Sequence, residues 1–466
     1  MAQSATVTKQ SDFLVGRRDC LAIAEQALAL SKADQTEVMV VREDSYLTRY
    51  ANSVIHQNTA IQNAGLSVRA VIGKRQGSAS TNRLDDDGIR RAVLTAADIA
   101  RQQPENPEFT TLPGPAQYEE VQAYSAGTAA LSPADRATAV GDMVALAKEQ
   151  DCTLAGAYSS GQTELVIANS HGVRAYLPSA QASLRVVAVT DEATGFAQWT
   201  GTDIANLDHE AVARRAIGKA ALGRKQQRLD PGEYVVVLED PAVADLVGML
   251  GWMGLGALSL QEGRSFMTDR LGERITSEKI TLRDDGYDSR GAPMPFDFEG
   301  VPKQRLALIE NGVARGVVYD TDTAAKDGKP STGHALPAPN PWGPMPLNLF
   351  LDAGDASLND LIAGTPRGLL VTRFWYTNVV HPRKTVITGL TRDGTFLIER
   401  GEIVGGVRNF RFTQSIIDAF ASTERVGRDL ALSGNWRGGA CVPALRVGRF
   451  AMTSVAQEGA PLAAPA

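Results

Sequence analysis

Histidine, cysteine and long apolar runs are scarce in this chain of 466 residues, which has five histidines and three cysteines. Because Cys20, Cys152 and Cys441 lie far apart in the sequence, they do not suggest a disulfide framework, and a reducing compartment is expected. The first residues lack the apolar segment of a signal peptide, and the longest apolar stretch, residues 246–260, is too short to span a bilayer. We therefore expect a soluble, cytoplasmic protein.

Charge of one sign is not concentrated anywhere along the chain. The net charge is −6, without a basic patch or a long run of like charge, which argues against a nucleic-acid partner. No Walker A string, dinucleotide-binding fingerprint, nucleophile elbow or Cys-x-x-Cys pair occurs, so the sequence offers no nucleotide or redox motif. Apolar residues make up 43% and charged residues 21%, an ordinary globular balance with room for two or three domains.

What is present is a repeated order of predicted elements. Periodicity predicts helices over residues 17–31, 85–103, 132–149 and 208–224. Short strands are predicted within residues 37–72, with a turn at 42–45, and again within residues 153–200. A block of strands followed by a helix thus occurs twice, which is consistent with a weak internal duplication.

These patterns predict an α+β protein with two small N-terminal lobes of α/β character and a larger C-terminal domain built on an extended, mostly antiparallel sheet. The predicted boundaries are 13–104 for the first lobe, 128–228 for the middle lobe and 229–452 for the C-terminal domain. A proline-rich linker is expected at 105–127 and a disordered, low-complexity tail at 453–466.

One predicted helix, residues 241–261, contains an unusual number of glycines. Gly248, Gly251, Gly254 and Gly256 all lie within it, and each glycine in a helix interior costs roughly 1 kcal/mol relative to alanine. A sequence that tolerates this cost indicates either close packing of the helix against another backbone or a break in the helix. The apolar strand predicted just before it, residues 233–238, is expected to be fully buried.

Several separated strings carry a resemblance to a known family. They are the strings RYANS (49–53), IHQ (55–57), LIENG (308–312), GLTRDG (389–394) and FLIERGEI (396–403). Each string is weak alone, but their order and spacing together resemble the TldD/PmbA family over most of residues 15–450. The resemblance implies a metallopeptidase scaffold, and in the catalytic members the glycine-rich helix carries a His-Glu-x-x-x-His zinc motif.

In this chain that motif is degenerate. Counting back from Gly263 places the two histidine positions near Gly248 and Met253, and the glutamate position near Met249. Glycine has no side chain, and a thioether is poorly suited to holding Zn²⁺. We therefore expect no metal in this chain.

The family contains zinc-bearing subunits and metal-less partner subunits, which are understood to pair as heterodimers that cleave unfolded peptides and peptide precursors. The resemblance implies that this chain is a non-catalytic partner of the metal-less kind, with zinc held by a TldD-like subunit. Two alternatives stay open. The chain could be an active peptidase with a rebuilt site, or a homodimeric peptide-binding protein without catalysis.

Three residues are candidates for contact with substrate or partner. Cys441 lies near the position of a further zinc ligand in zinc-bearing members; it could also be a nucleophile assisted by His381 or His334, or a small core residue. His381 could contact substrate backbone or be an ordinary loop residue. Arg392, like Arg373, could bind a carboxylate such as a peptide C-terminus, or be a solvated surface residue.

Overall fold

The computed structural model describes residues 14–435 and 438–456. Within these ranges the helices are α1 (Gly16–Leu30), α2 (Asp86–Gln102), α3 (Ala126–Ala129), α4 (Pro133–Lys148), α5 (His209–Leu222), α6 (Asp240–Gly254), α7 (Ala257–Gln261), α8 (Thr321–Lys326), α9 (Leu358–Ala363) and α10 (Ile416–Ala421), with single 3₁₀ turns at Ile204–Asn206 and Pro382–Lys384. No helix in the described ranges is long and apolar enough to cross a membrane.

The strands belong to three sheets. They are β1 (Gln35–Ala51), β2 (Val54–Ile72), β3 (Arg75–Thr81), β4 (Thr153–Asn169), β5 (Arg174–Val189), β6 (Thr194–Gly201), β7 (Gly232–Leu238), β8 (Leu282–Asp284), β9 (Leu306–Glu310), β10 (Val313–Ala314), β11 (Asn348–Leu351), β12 (Arg367–His381), β13 (Val386–Glu399), β14 (Glu402–Gly406), β15 (Phe410–Ser415), β16 (Thr423–Val426), β17 (Ala431–Asn435), β18 (Gly438–Val442) and β19 (Leu445–Val455). The predicted α+β class is confirmed.

The first sheet has the order β3-β2-β1-β4-β5-β6 and is antiparallel throughout. The same order of elements, a helix, three strands and a helix, occurs as α1 to α2 and again as α4 to α5. The two halves meet where β1 pairs with β4. The strands of the two predicted lobes therefore form one continuous sheet, because their edge strands satisfy each other's backbone hydrogen bonds.

The turn predicted at residues 42–45 is wrong. These residues continue β1 and pair with residues 61–64 of β2. Likewise, short strands predicted within residues 153–200 are parts of the longer strands β4 and β5. These polar residues indicated a turn in the sequence, but Asp44 is buried and residues 42, 43 and 45 are half-buried. The segment is held between β2 and β4, and a local pattern carries no information about such partners.

The C-terminal part contains two mostly antiparallel sheets, in agreement with the predicted antiparallel character of this part. One has the order β10-β9-β8-β11-β18-β17, with a parallel pair at β11 and β18. In the other, β12, β7, β19, β15 and β13 form a closed ring, because β13 also pairs with β12. The buried rings of Phe374, Phe412 and Phe450 pack together with centroids 4.5–5.7 Å apart. Closure leaves no free edge among these five strands.

The helix starts that local signals predicted are confirmed. Asp85 and Asp208 accept hydrogen bonds from backbone N–H groups in the first turns of α2 and α5, and Ser132 forms a capping box with Asp135 at α4. These side chains satisfy N–H groups that have no partner within the helix. Helix starts are therefore well encoded in the local sequence.

The predicted helix over 241–261 is broken into α6 and α7. At Gly256 an added Cβ would lie 2.1 Å from the carbonyl oxygen of Pro344, and the hydroxyl of Ser265 donates to the carbonyl of Gly254 at 2.6 Å. Both explanations offered for the glycines thus apply, since the break occurs where another segment of backbone approaches closely.

The two segments predicted to be irregular differ in outcome. Residues 105–125 form no helix or strand, although Phe109 and Leu112 are buried in a small cluster with Val71. The predicted disordered tail is wrong for residues 453–455, which belong to β19 and pair with β15. Residues 457–466 of that predicted tail lie outside the described residues.

Candidate functional site

A cleft of about 1130 Å³ lies between the first sheet and the C-terminal part of the chain. Its helix wall is the face of α6 that carries Asp245, Gly248, Met249 and Trp252. These residues share a face because positions three, four and seven apart lie on one side of an α-helix. The volume exceeds the range of about 300–1,000 Å³ that is common for small-molecule sites, so the cleft has room for a peptide.

The opposite wall of the cleft is the surface of the first sheet. Gln181, Ser183 and Arg185 of β5 line it, because alternate residues of a strand point to the same side. Ser159 of β4 pairs directly with Ser183 and also lines the cleft. This wall, called here the sheet wall, is therefore made of small polar and amide side chains with one arginine.

Two strands of the C-terminal part close the ends. Thr377 and Asn378 belong to β12, and residues 433–435 belong to β17, an edge strand of the second sheet. Apolar side chains of Met345, Leu347 and Leu349 complete the lining near α6. The cleft thus combines an apolar side with a hydrogen-bonding side, as binding sites for organic ligands commonly do.

Two buried polar atoms in the lining lack a hydrogen-bond partner within the described part of the chain. They are Nε2 of Gln181 and Oγ1 of Thr377, which come from different walls. A buried polar group without a partner costs about 1–3 kcal/mol, and such groups are uncommon in native structures. Both side chains belong to the lining, so the cleft presents amide and hydroxyl groups to an occupant.

The cleft also contains two charged residues of opposite sign. Asp245 is solvent-exposed but lies within the cleft, where the surrounding protein replaces much of its bulk water. This loss of solvation raises the pKa of Asp245 to about 6, an effect partly opposed by Arg373 and Arg185. Arg185 makes no ion pair within 4 Å and no side-chain hydrogen bond to a described residue, and it is exposed.

Two of the three degenerate motif positions face this cleft. Gly248 and Met249 line it, whereas Met253 is 2% exposed and belongs to the main hydrophobic core. Met253 lies five residues after Gly248, which is about 140° further round the helix at 3.6 residues per turn. The residue that shares a face with Gly248 is Trp252.

The side chains present do not fit a zinc site. Zinc is held by three or four imidazole, thiolate or carboxylate ligands, and the described lining of the cleft offers one carboxylate, that of Asp245. Within residues 14–435 and 438–456, no group of three or more His, Cys, Asp or Glu residues is arranged to hold a metal ion.

Cys441 lies next to the cleft but does not face it. Its neighbour Ala440 lines the cleft, and alternate strand residues point to opposite sides. The thiol is 1% exposed and lies 3.6 Å from the carbonyl oxygen of Arg290. Burial raises the pKa of Cys441 to about 12, so the free thiolate needed for nucleophilic attack is not populated near neutral pH.

The histidine candidates are not brought to Cys441 as a catalytic pair. His334 is fully buried, with Nε2 2.9 Å from Oδ1 of Asp284 and Nδ1 3.0 Å from Oγ1 of Thr332. Burial and the charge of Lys303 lower the pKa of His334, against the opposing effect of Asp284. His381 is exposed and caps the 3₁₀ turn after β12, where its Nδ1 accepts from the backbone N–H of Lys384 at 3.3 Å.

The two arginines considered as carboxylate binders already have partners inside the chain. Arg373 donates to Oδ2 of Asp393, and the guanidinium of Arg392 stacks over the ring of Trp375 at 4.3 Å and lies 3.7 Å from Asp393. Sequence reasoning missed Arg185 and Gln181. The available signal was their spacing, because both lie at alternating positions of one predicted strand and so share a face.

Comparison with known proteins agrees with this architecture across most of the chain. Residues 36–100 match the family described as PmbA/TldA metallopeptidase domain 1, residues 128–223 match its central domain, and residues 231–454 match its C-terminal domain. The three matches follow the chain in the order that the family prescribes.

Individual relatives match over nearly the full length. The Metalloprotease PmbA of Escherichia coli O157:H7 is 26% identical, covering 90% of this chain and 93% of its own. A Metalloprotease TldD homolog of Buchnera aphidicola is 24% identical, covering 88% and 92%. The structure of TldE from Thermococcus kodakarensis shares the fold, with a TM-score of 0.84 and 23% identity over 92% of this chain and 99% of its own. The chain belongs to the PmbA/TldD metallopeptidase family.

Proposed function

We propose that this chain is a non-catalytic partner subunit of a TldD-type zinc metallopeptidase that acts on unfolded peptides or peptide precursors. The observation that carries the proposal is the helix wall of the cleft. The residues of this face that line the cleft include Asp245, Gly248, Met249 and Trp252, a set with no imidazole or thiolate. The cleft beside α6 is thus large enough for a peptide, but its side chains cannot hold zinc.

The cleft is suited to an extended peptide. Its apolar side, with Met249, Trp252 and Met345, offers adaptable contacts to varied side chains. Its polar side includes the amide of Gln181 and the hydroxyl of Thr377. The edge strand β17 contributes residues 433–435 to the lining, and a peptide that adds a strand to such an edge gains backbone hydrogen bonds regardless of its sequence.

In this scheme the catalytic groups belong to the other subunit. A zinc ion there would activate a water molecule for attack on the peptide bond, while this chain would complete the chamber and hold the substrate. The partner is expected to be a TldD-like zinc-bearing subunit in a heterodimer. A homodimer of this chain is the arrangement expected if the chain binds peptides without catalysis.

The first experiment measures zinc per mole of the chain purified alone and without chelators, and peptidase activity with and without a zinc-bearing TldD-type subunit. We expect substoichiometric zinc, no activity alone and activity in the mixture. One tightly held zinc per chain, or activity without a second subunit, would refute the proposal and favour a rebuilt catalytic site. A lack of any complex with a zinc-bearing subunit would refute the partnership.

A cleft-filling variant tests whether the cleft contributes to that activity. A Cβ added at Gly248 meets no atom within 4 Å, so Gly248→Trp can place an indole in the cleft without a clash at its base. The matched control is Gly141→Trp, because Gly141 lies in α4 with equally open surroundings and outside the cleft. We expect Gly248→Trp to reduce peptide cleavage by the mixture while Gly141→Trp does not. Equal activity of both variants would contradict a role for the cleft.

A further inference from the structure

Arg185 is the most C-terminal residue of β5 that lines the cleft. The next residue on the same face, Val187, is 8% exposed and absent from the lining. Arg185 pairs across the sheet with Ala157, whose small side chain leaves room around the guanidinium. A peptide lying along β5 therefore meets a cation at the last position of this strand that lines the cleft.

The guanidinium of Arg185 is available for a ligand. It has no ion pair within 4 Å and no side-chain hydrogen bond to the described residues, in contrast to Arg373 and Arg392. A guanidinium presents a planar set of N–H donors that matches the two oxygens of a carboxylate. Asp245 on the helix wall gives the cleft one negative group, on whose pKa Arg185 also acts. This group repels any anion in the cleft, but a singly charged carboxylate less than a doubly charged phosphate.

Gln181 places an amide group on the same wall as Arg185. It lines the cleft four residues before Arg185 on the same face of β5. Four residues of strand span roughly 13 Å at about 3.3 Å each. An extended peptide has the same repeat, so a peptide whose last residue meets Arg185 places a backbone carbonyl within reach of Gln181.

We propose that the sheet wall captures the C-terminal carboxylate of an extended peptide, with Arg185 binding the carboxylate and Gln181 binding a backbone carbonyl about four residues upstream. The site therefore selects chain ends rather than internal segments. The inference rests on the proposed function only in taking the ligand to be a peptide. It needs neither zinc nor a second subunit, so its test uses the full chain alone.

The test measures fluorescence anisotropy with three octapeptides of alternating valine and serine, each labelled with fluorescein at the N-terminus. The first has a free C-terminal carboxylate, and the second has a C-terminal amide. The third also has a C-terminal amide, and its last residue is glutamate. Because hydrogen bonds to a charged group are lost without the carboxylate, we expect the acid to bind about tenfold to a hundredfold more tightly than the plain amide. The glutamate peptide is expected to bind like the plain amide.

Variants assign this preference to the proposed residues. Arg185→Gln is expected to remove the difference between acid and amide while leaving amide binding unchanged, and Gln181→Leu to weaken all three peptides equally. The control Arg90→Gln, at an exposed position of α2 far along the chain from the cleft residues, is expected to bind like the parent protein.

Equal binding of acid and amide would overturn the inference. So would an acid preference that persists in Arg185→Gln, or no measurable binding of any peptide. If the glutamate peptide binds as tightly as the acid, the site recognises side-chain carboxylates as well as the C-terminal one. This result would refute selection of chain ends. Zinc content and reconstituted activity are measured separately, so a negative result here is distinguishable from failure of the proposed function.

Discussion

Replacement of Gly248 by alanine tests the account of the glycine-rich helix most directly. Gly248 lies in the interior of α6, and a Cβ added there meets no atom within 4 Å. The substitution therefore has no steric cost, while alanine is favoured over glycine in a helix interior by about 0.8–1.0 kcal/mol. We expect Gly248→Ala to raise the free energy of unfolding by about 1 kcal/mol.

The contrasting variant is Gly254→Ala at the end of the same helix. An added Cβ at Gly254 would lie 2.9 Å from Cδ1 of Phe266, 2.9 Å from Oγ of Ser265 and 3.1 Å from the Cα of Ser265. Backbone atoms cannot move aside as cheaply as the end of a side chain, and overpacking of this kind costs typically about 1–3 kcal/mol. We expect this variant to be less stable than the parent protein, because the steric cost exceeds the helix-propensity gain.

Urea denaturation followed by tryptophan fluorescence and by circular dichroism measures both effects. Gly141→Ala in α4 is the matched control, because its surroundings are also open, and it should gain about as much stability as Gly248→Ala. The reasoning is refuted if Gly248→Ala lowers stability, or if Gly248→Ala and Gly254→Ala change it in the same direction.

Three further predictions follow from other parts of the structure. Burial and the nearby Glu299 raise the pKa of Asp322 to about 6 from an ordinary 3.8. A raised carboxyl pKa contributes stability that is present below about pH 4 and is lost as the pH rises through about 6. Asp322→Asn should therefore flatten this part of the pH profile of stability measured by urea denaturation, and an unchanged profile would contradict the assignment. Cys441 should react with a thiol reagent only after unfolding, as mass spectrometry of the labelled native protein would show, since its thiol is buried and its pKa is about 12. Phe412→Ala should lower the free energy of unfolding by about 3–5 kcal/mol, since its ring contacts two others in the closed ring of strands; a loss below about 1 kcal/mol would show that this core repacks.

Local sequence signals predicted the helix starts well. At Ser132 and Asp208 the capping side chain and the N–H group it accepts from are three residues apart, so the interaction is encoded within one turn. The same locality explains the failure at residues 42–45, where the choice between a turn and a strand depends on pairing with residues 61–64. A short polar segment carries no information about such a partner.

The candidate site was predictable in part. The resemblance drew attention to the helix at residues 241–261, and Gly248 and Met249 do line the cleft. The candidates Arg392 and Cys441 turned out to be held inside the chain, by Trp375 and by burial respectively. Their residue types suit binding chemistry, but neither exposure nor existing partners can be read from residue type.

The sequence by itself determined the α+β class, the helix caps, the glycine-rich helix and the absence of a recognisable zinc motif, because each depends on residues close together in the chain. Only the tertiary structure decided that two lobes share one sheet and that Arg185 and Gln181 face Asp245 across a cleft. The residues of these two walls lie about sixty positions apart in the sequence. Their juxtaposition results from packing of the first sheet against the C-terminal part, an interaction that no local pattern specifies.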